Sequence, residues 1–325
     1  MPHPIKGLFA LAVMHACVPA WAQLASAPLD PPVWAYPVNP PGFQLPPDDG
    51  SVRRVPDSAA AYSIAQTRDR FLAPDWHPAD HAPLPGVVAT GRKPGVSACG
   101  YCHRAEGTGG PENAGLAGLP FAYIVEQMVD YRSGARSTAV PNRAPQVLMI
   151  ASAKAVTDDE VREAAAYFSS LAPRAILRIV ESGEAPKTTV ANWVLARVGS
   201  GEMEAIGHRI IEVADVQEHF ESRDTHASFT AYVPAGSVAR GRALVGGSDP
   251  ATPAACSTCH GPDLRGLGAV PAIAGRSPTY VFRQLYEIQA GFRSGPGSAP
   301  MKEIVARLSH DDMIGIAAYL ATLKP

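Results

Sequence analysis

Two pentapeptides in this chain share one pattern: Cys99-Gly100-Tyr101-Cys102-His103 and Cys256-Ser257-Thr258-Cys259-His260. Two thiols held two residues apart on a tight turn can each form a thioether with one of two neighbouring vinyl groups on a haem edge. C-x-x-C-H is the attachment pattern of c-type haem. The histidine after the second cysteine is then placed beneath the iron as its proximal nitrogen ligand. Other uses of paired cysteines fit less well. A thioredoxin-like redox pair follows a strand in a βαβ unit, whereas Cys99 follows the broken run Gly91-Arg92-Lys93-Pro94-Gly95. Zinc sites space two such pairs by about 15–20 residues, and Cys99 and Cys256 are 157 residues apart. A structural disulfide has no need of a histidine, let alone twice. The motifs predict two covalent haem c groups on Cys99, Cys102, Cys256 and Cys259, with iron bound by His103 and His260.

The elements that must position these residues are also written twice. Val88-Ala89-Thr90-Gly91-Arg92 matches Val238-Ala239-Arg240-Gly241-Arg242, a predicted helix ahead of each motif. After the motifs the register holds at 157 residues, pairing Leu116 with Ile273, Gly118 with Gly275, Tyr123 with Tyr280, Gln127 with Gln284, Gly134 with Gly291 and Arg136 with Arg293. It then drops to 152, pairing Met149 with Met301, Thr157 with Ser309, Asp159 with Asp311, Tyr167 with Tyr319 and Leu171 with Leu323. Self-similarity of this kind marks a duplicated unit, with one five-residue difference in a loop. Each copy ends in a helix announced by a Thr or Ser N-cap and acids in its first turn. The fold class expected is mainly α: two tandem haem domains, 85–172 and 236–325.

Between them lies a stretch, 173–235, that repeats nothing. Ala175–Val180, Arg209–Val213 and Ser228–Val233 are rich in β-branched and aromatic residues and predict a small β-rich insert. Ahead of the repeats, 23–84 forms a proline-rich N-terminal extension. Eight prolines between Pro28 and Pro47, interleaved with Trp34, Tyr36 and Phe43, predict an extended segment whose aromatics lie on a surface of the chain's own domains. It is expected to govern partner binding or domain placement, because neither it nor the insert is needed to ligate iron. Ser58 is expected to cap a helix running through Ala61, Ile64, Arg68 and Phe71. His77 and His81 sit four apart as helical metal ligands could, but the prolines around them deny the helix, so both read as surface residues.

Composition bounds the rest. The chain has 325 residues, 46% hydrophobic and 18% charged, with a net charge of −2. That is ample for two or three small domains, and the balanced charge gives no reason to expect nucleic acid as a partner. Lys6, the apolar run Leu8–Val18 and Ala20-Trp21-Ala22 before Gln23 form a cleavable secretory signal, 1–22, with an apolar run too short to span a membrane. Cys17, the fifth cysteine, lies within it, and Met14-His15-Ala16 is a poor lipoprotein match. Haem addition on the far side of a bacterial inner membrane agrees with this leader, so the mature protein is expected in the periplasm.

With its two C-x-x-C-H motifs, the Tyr…Gln…Gly-x-Arg helix after each, and Met…Ser/Thr-x-Asp…Ala-Tyr near each unit's end, the chain resembles the di-haem class I c-type cytochromes of the cytochrome c4 kind. The likeness covers about 85–171 and 236–323, and a longer subgroup that accepts electrons from periplasmic dehydrogenases matches the overall length better. The resemblance implies two all-α haem domains, His/Met axial ligation, and one-electron transfer between periplasmic or membrane-bound redox proteins: a dehydrogenase as donor, an oxidase or another cytochrome as acceptor. It also implies a proline carbonyl that accepts the proximal histidine's Nδ1–H. Pro271 matches that proline, whereas the aligned residue in the first unit is Ala114. Of the methionines beyond the leader, only Met149 and Met301 face each other in register, each after a proline-containing loop (Pro145, Pro300). They are the sixth ligands this reading assigns, while Met128 and Met313 read as core. An iron saturated by His and Met has no open position for substrate, so an electron carrier rather than an enzyme is expected. The rivals are a catalytic di-haem enzyme of the peroxidase or sulfur-compound dehydrogenase type, and a cytochrome subunit of a dehydrogenase complex.

Overall fold

The computed structural model describes residues 1–3, 30–199 and 201–325. Most of the expected leader, with its cleavage site and Cys17, lies outside the described residues. Helix predominates, with only small sheets, and Pro31–Pro325 form one compact body.

A short ladder of β1 (Val52–Arg53) and β2 (Tyr62–Ser63) leads directly into α1 (Ile64–Arg68). The cap of α1 is Ser63, in a reciprocal capping box with Gln66. Ser58, expected to open a longer helix, instead donates to the Trp76 carbonyl. The helix stops at Asp69 because the following residues turn back to carry Ala73 and Trp76 into buried positions.

The first repeat follows as α2 (Gly86–Ala89), α3 (Cys99–His103), α4 (Phe121–Ser133), α5 (Ala144–Ala155) and α6 (Asp158–Ser170). The second runs in the same order as α8 (Ser237–Val245), α9 (Ser257–His260), α10 (Pro278–Gln289), α11 (Ala299–Val305) and α12 (His310–Thr322). Local chemistry explains the matching ends. Helices α6 and α12 open on Thr157 and Ser309, each in a capping box with the acid three residues on, Glu160 or Asp312. Both boxes satisfy N-terminal amides that would otherwise lack partners. Past the ends of α4 and α10 the chain turns through Gly134 and Gly291 at φ 83° and 82°, the left-handed region that glycine enters without a Cβ penalty.

Each repeat has its own core, one around Val88, Ile124, Val161 and Phe168, the other around Leu244, Phe282, Met313 and Ile314. The copies differ at one crossing. A Cβ on Gly241 would strike the Gly315 carbonyl, so two glycines let α8 and α12 touch backbone to backbone. In the first repeat the residue matching Gly241 is Gly91, which turns left-handed at φ 61° beyond a helix of only four residues.

Between the repeats lie β3 (Leu177–Glu181), β4 (Glu184–Pro186), β5 (Thr188–Ala191), β6 (Val194–Arg197), β7 (Met203–Ala205), β8 (Ile211–Ala214), α7 (Gln217–Glu221) and β9 (Phe229–Val233). The three predicted strand segments form one sheet of order β3-β9-β8, with β3 parallel and β8 antiparallel to β9. The hairpin β5–β6 turns on Asn192 and Trp193, both at positive φ, and it, like the β4–β7 pair, carried no strong sequence signal.

The proline-rich segment is no separate appendage. Ala35 and Tyr36 belong to the second repeat's core, Trp34 packs its ring 4.6 Å from that of Phe282, and the Ala35 carbonyl accepts from Arg283. His77 and His81 are not surface groups either. The His77 ring is buried, bonded to Asp224 at 2.9 Å and stacked 3.5 Å from His226, while the His81 imidazole is 1% exposed and bonded to Asp75. The prolines do exclude helix there. They leave a loop that folds inward onto the insert, because Trp76 is drawn into the core and donates to Ser222 O.

Candidate functional site

The first motif occupies one helical turn. Cys99, Cys102 and His103 line a cleft that encloses about 1290 Å³ of space, part of it open to solvent. Its walls are mostly apolar and include Leu116, Ile124, Leu148 and Phe168. Met149 lines the same cleft from α5, and Met128 from α4, so two thioethers reach it. Met149 and Met301 lie within helices rather than after loops: Pro145 and Pro300 occupy the first turns of α5 and α11, where a missing N–H is harmless.

Backbone geometry prepares both histidines in the same way. Nδ1 of His103 bonds the Ala114 carbonyl at 2.8 Å, and Nδ1 of His260 bonds that of Pro271 at 2.8 Å. A carbonyl can only accept, so Nδ1 carries the proton and Nε2 keeps its lone pair for a metal. Burial pulls both imidazoles below their ordinary pKa, which keeps them neutral. Burial also pushes the Cys99 thiol up to about 12 and the Cys256 thiol up to about 11. In the second repeat Cys256 and Met301 pack against the same core, His260 is buried and Cys259 is exposed.

Sequence reasoning missed what lies between the repeats. Residues 135–137 pair antiparallel with 292–294: Ser137 N donates to Phe292 O and Ser294 N to Ala135 O, both at 2.7 Å. Arg136 donates to Gln127 of its own repeat and reaches over to the Tyr280 hydroxyl and the Gln284 Oε1. Arg293 does the converse, to Gln284 and then to Tyr123 and Gln127. Burial would raise the Tyr123 phenol, but Arg293 and Arg136 beside it bring it below its usual value. Arg136 and Arg293 are buried and Arg276 is half-buried. Among the described residues no carboxylate hydrogen-bonds to any of them, and the Nε of each is buried without a partner. The register of Tyr123/Tyr280, Gln127/Gln284 and Arg136/Arg293 was the available signal, since repeated polar residues on core helices need repeated partners.

An apolar cleft, a thiol pair, an imidazole with its Nε2 free and a guanidinium, that of Arg136, on the lining together fit a flat apolar group carrying carboxylates at one edge, as haem does. The Cytochrome c family model matches residues 238–324. Cytochrome c-554(547) of Halothiobacillus neapolitanus is 35% identical over 22% of this chain and 87% of its own length. The chain belongs to the cytochrome c family. This cytochrome is also similar to cytochrome c4 of Azotobacter vinelandii, at 26% identity over 70% of this chain and 85% of that protein. A thiosulfate dehydrogenase electron acceptor of Thiomonas intermedia is 29% identical over 70% of this chain and 79% of that one. Among solved structures, thiosulfate dehydrogenase (TsdBA) from Marichromatium purpuratum aligns with a TM-score of 0.46 at 30% identity, covering 71% of this chain and 37% of that one. The cytochrome thus takes covalent haem c and serves electron transfer. No helix among its described residues is long and apolar enough to cross a membrane.

Proposed function

We propose that this cytochrome is a periplasmic two-haem electron carrier, with axial pairs His103/Met149 and His260/Met301 and thioethers at Cys99, Cys102, Cys256 and Cys259. The observation that carries it is the duplicated His Nδ1–carbonyl bond, which turns two Nε2 lone pairs into metal ligands by the same device. Haem iron, when bound, supplies a reversible one-electron couple, and axial ligation sets its potential. The protein's part is position and exclusion. The α3 turn presents both thiols on one side of the first cleft, the Ala114 and Pro271 carbonyls orient the imidazoles, and the apolar walls limit solvent access. Thioethers as sixth ligands favour carriage over substrate turnover, because they close the position a substrate would need.

The paired 135–137 and 292–294 segments fix one unit against the other, which favours exchange between the two redox sites within one molecule. The names of the relatives point to a dehydrogenase as electron donor, with thiosulfate dehydrogenase the first to try. Mass spectrometry of protein matured in a bacterial periplasm should show two haem additions, and the oxidised spectrum a weak near-infrared sulfur–iron band of two-haem intensity. One haem, or carbon monoxide binding to the untreated reduced protein, would overturn the reading. Stopped-flow mixing with reduced candidate dehydrogenases would identify the donor.

A further inference from the structure

The two loops that aim the proximal histidines are built alike but stiffened differently. In both, a glycine amide caps the motif helix: Gly109 N donates to His103 O, and Gly266 N to His260 O. In both, two consecutive amides return to one carbonyl, from Leu116 and Ala117 to Gly107 O, and from Ile273 and Ala274 to Leu264 O. The second loop contains Pro271, whose ring fixes φ at the residue that accepts the His260 proton. The first has Ala114 there, which retains the backbone freedom that proline lacks.

A residue from the other repeat occupies that gap. Arg276 donates through Nη1 to Gly115 O at 3.1 Å and through Nη2 to Ala117 O at 3.2 Å. These carbonyls lie one and three residues beyond the Ala114 carbonyl. A Cβ on Gly115 would meet Arg276 Nη1 at 3.2 Å, so the glycine gives the guanidinium its approach. The arrangement is one-sided: the position matching Arg276 in the first repeat is Leu119, and among the described residues no arginine donates to the matched carbonyls of Ala272 and Ala274. Desolvating a guanidinium is costly without strong hydrogen bonds. Arg276 is half-buried with its Nε buried and unpartnered, and among the described residues these two carbonyls are its hydrogen-bond acceptors.

We propose that Arg276 is a positioning residue for His103, gripping the 115–117 backbone so that Ala114 O stays in line with Nδ1–H. It does from across the repeat boundary what proline does within the second loop. This rests on His103 being a haem ligand. A firm Nδ1–H···O bond makes an imidazole a better electron donor, so the second repeat helps set the potential of the first haem.

The test uses the full-length holoprotein and the variants Arg276→Lys and Arg276→Met. Lysine keeps the charge but, as a point donor, cannot bridge two carbonyls as the planar fork does. In the reduced state, NMR follows solvent exchange of the two ring-current-shifted His Nδ1 protons. Exchange at His103 should quicken by about tenfold or more in both variants, the equivalent of one hydrogen bond, with His260 unchanged. In Arg276→Lys the first haem's potential should rise, because a slackened hydrogen bond favours the ferrous form. Arg276→Met also removes a positive charge, which pulls its potential the other way. Wild-type exchange rates in both variants, or equal quickening at His103 and His260, would overturn the proposal alone. A wild-type protein with no shifted His103 proton would overturn the ligand assignment beneath it.

Discussion

Arg136 and Arg293, one from each repeat, pair backbone to backbone as an antiparallel bridge, and each guanidinium reaches across to the other repeat's tyrosine. The reciprocity is complete: residue and partner exchange places under the 157-residue register. Such self-complementarity is what a two-fold contact between identical subunits requires. Here it survives within one chain, and it explains why the repeated Tyr, Gln and Arg share a spacing without being adjacent in sequence.

The two arginines should therefore be coupled energetically. Arg136→Met leaves the Tyr280 hydroxyl and two glutamine oxygens short of a donor, and Arg293→Met does the same for Tyr123. Each single change should destabilise the holoprotein by about 2–4 kcal/mol. The double variant should fall short of the sum by about 1–2 kcal/mol, since both arginines serve Gln127 and Gln284. Urea unfolding of the four proteins gives the cycle, and strict additivity would separate the two halves of the contact.

The methionine assignment separates by variant. Met149→Ala should remove half of the near-infrared sulfur–iron band and let carbon monoxide bind one reduced haem, leaving the other untouched. Met128→Leu should leave that band whole, although Met128 lines the same cleft. Met301→Ala should remove the other half. A silent Met149→Ala with a band lost in Met128→Leu would exchange their roles.

Much of this was legible in the sequence for a physical reason. Haem attachment needs fixed residue types at fixed spacing, and duplication doubled the signal, so the motifs and the capped last helices could be read from local pattern alone, whereas the Gly-x-Arg read as part of the preceding helix lies beyond its end. The three strands of the larger sheet were visible because they are apolar and β-branched. What stayed hidden was settled by distant partners. Ser58 has cap chemistry, but the nearby carbonyl of the buried Trp76 takes its hydroxyl. His77 sits among prolines that look like surface loop, yet Asp224 and His226 lie far along the chain and cover it. Arg223 likewise comes from the insert to lie 3.7 Å over the Tyr101 ring and to donate to its carbonyl, inside the first motif. No periodicity reports such contacts.

Acid should loosen the first repeat through Glu160. Its carboxylate receives two hydrogen bonds from Arg92 and one from the Thr157 amide, and it is held down at about 2 against an ordinary 4.5, with the Arg92 bond the leading cause. A depressed folded value means that the contribution is complete above about pH 4.5 and fades as pH falls toward 2. Arg92 is half exposed, so the effect should be modest and weaken in salt. Glu160→Gln, which retains capping ability, should flatten the fall in thermal midpoint across that window. Identical pH profiles would show the pair to be inert.

The last prediction concerns the proline-rich segment, whose Tyr36 is 2% exposed and meets Tyr286 edge-on with ring centroids 6.0 Å apart. Among the described residues its buried hydroxyl has no hydrogen-bond partner, and burial raises its pKa. Ring and hydroxyl should then act oppositely. Tyr36→Ala removes a packed ring from the second repeat's core and should cost about 3–5 kcal/mol. Tyr36→Phe keeps the ring and removes an unsatisfied polar atom, so stability should stay level or rise by about 1 kcal/mol. The same packing reverses the expectation that the segment is dispensable for haem binding: deleting residues 31–47 opens the core that holds Cys256 and Met301. Haem content at the second site should fall with that deletion and remain full in Tyr36→Phe. A deletion variant with two haems and an unchanged thermal midpoint would return the segment to the role of a spacer.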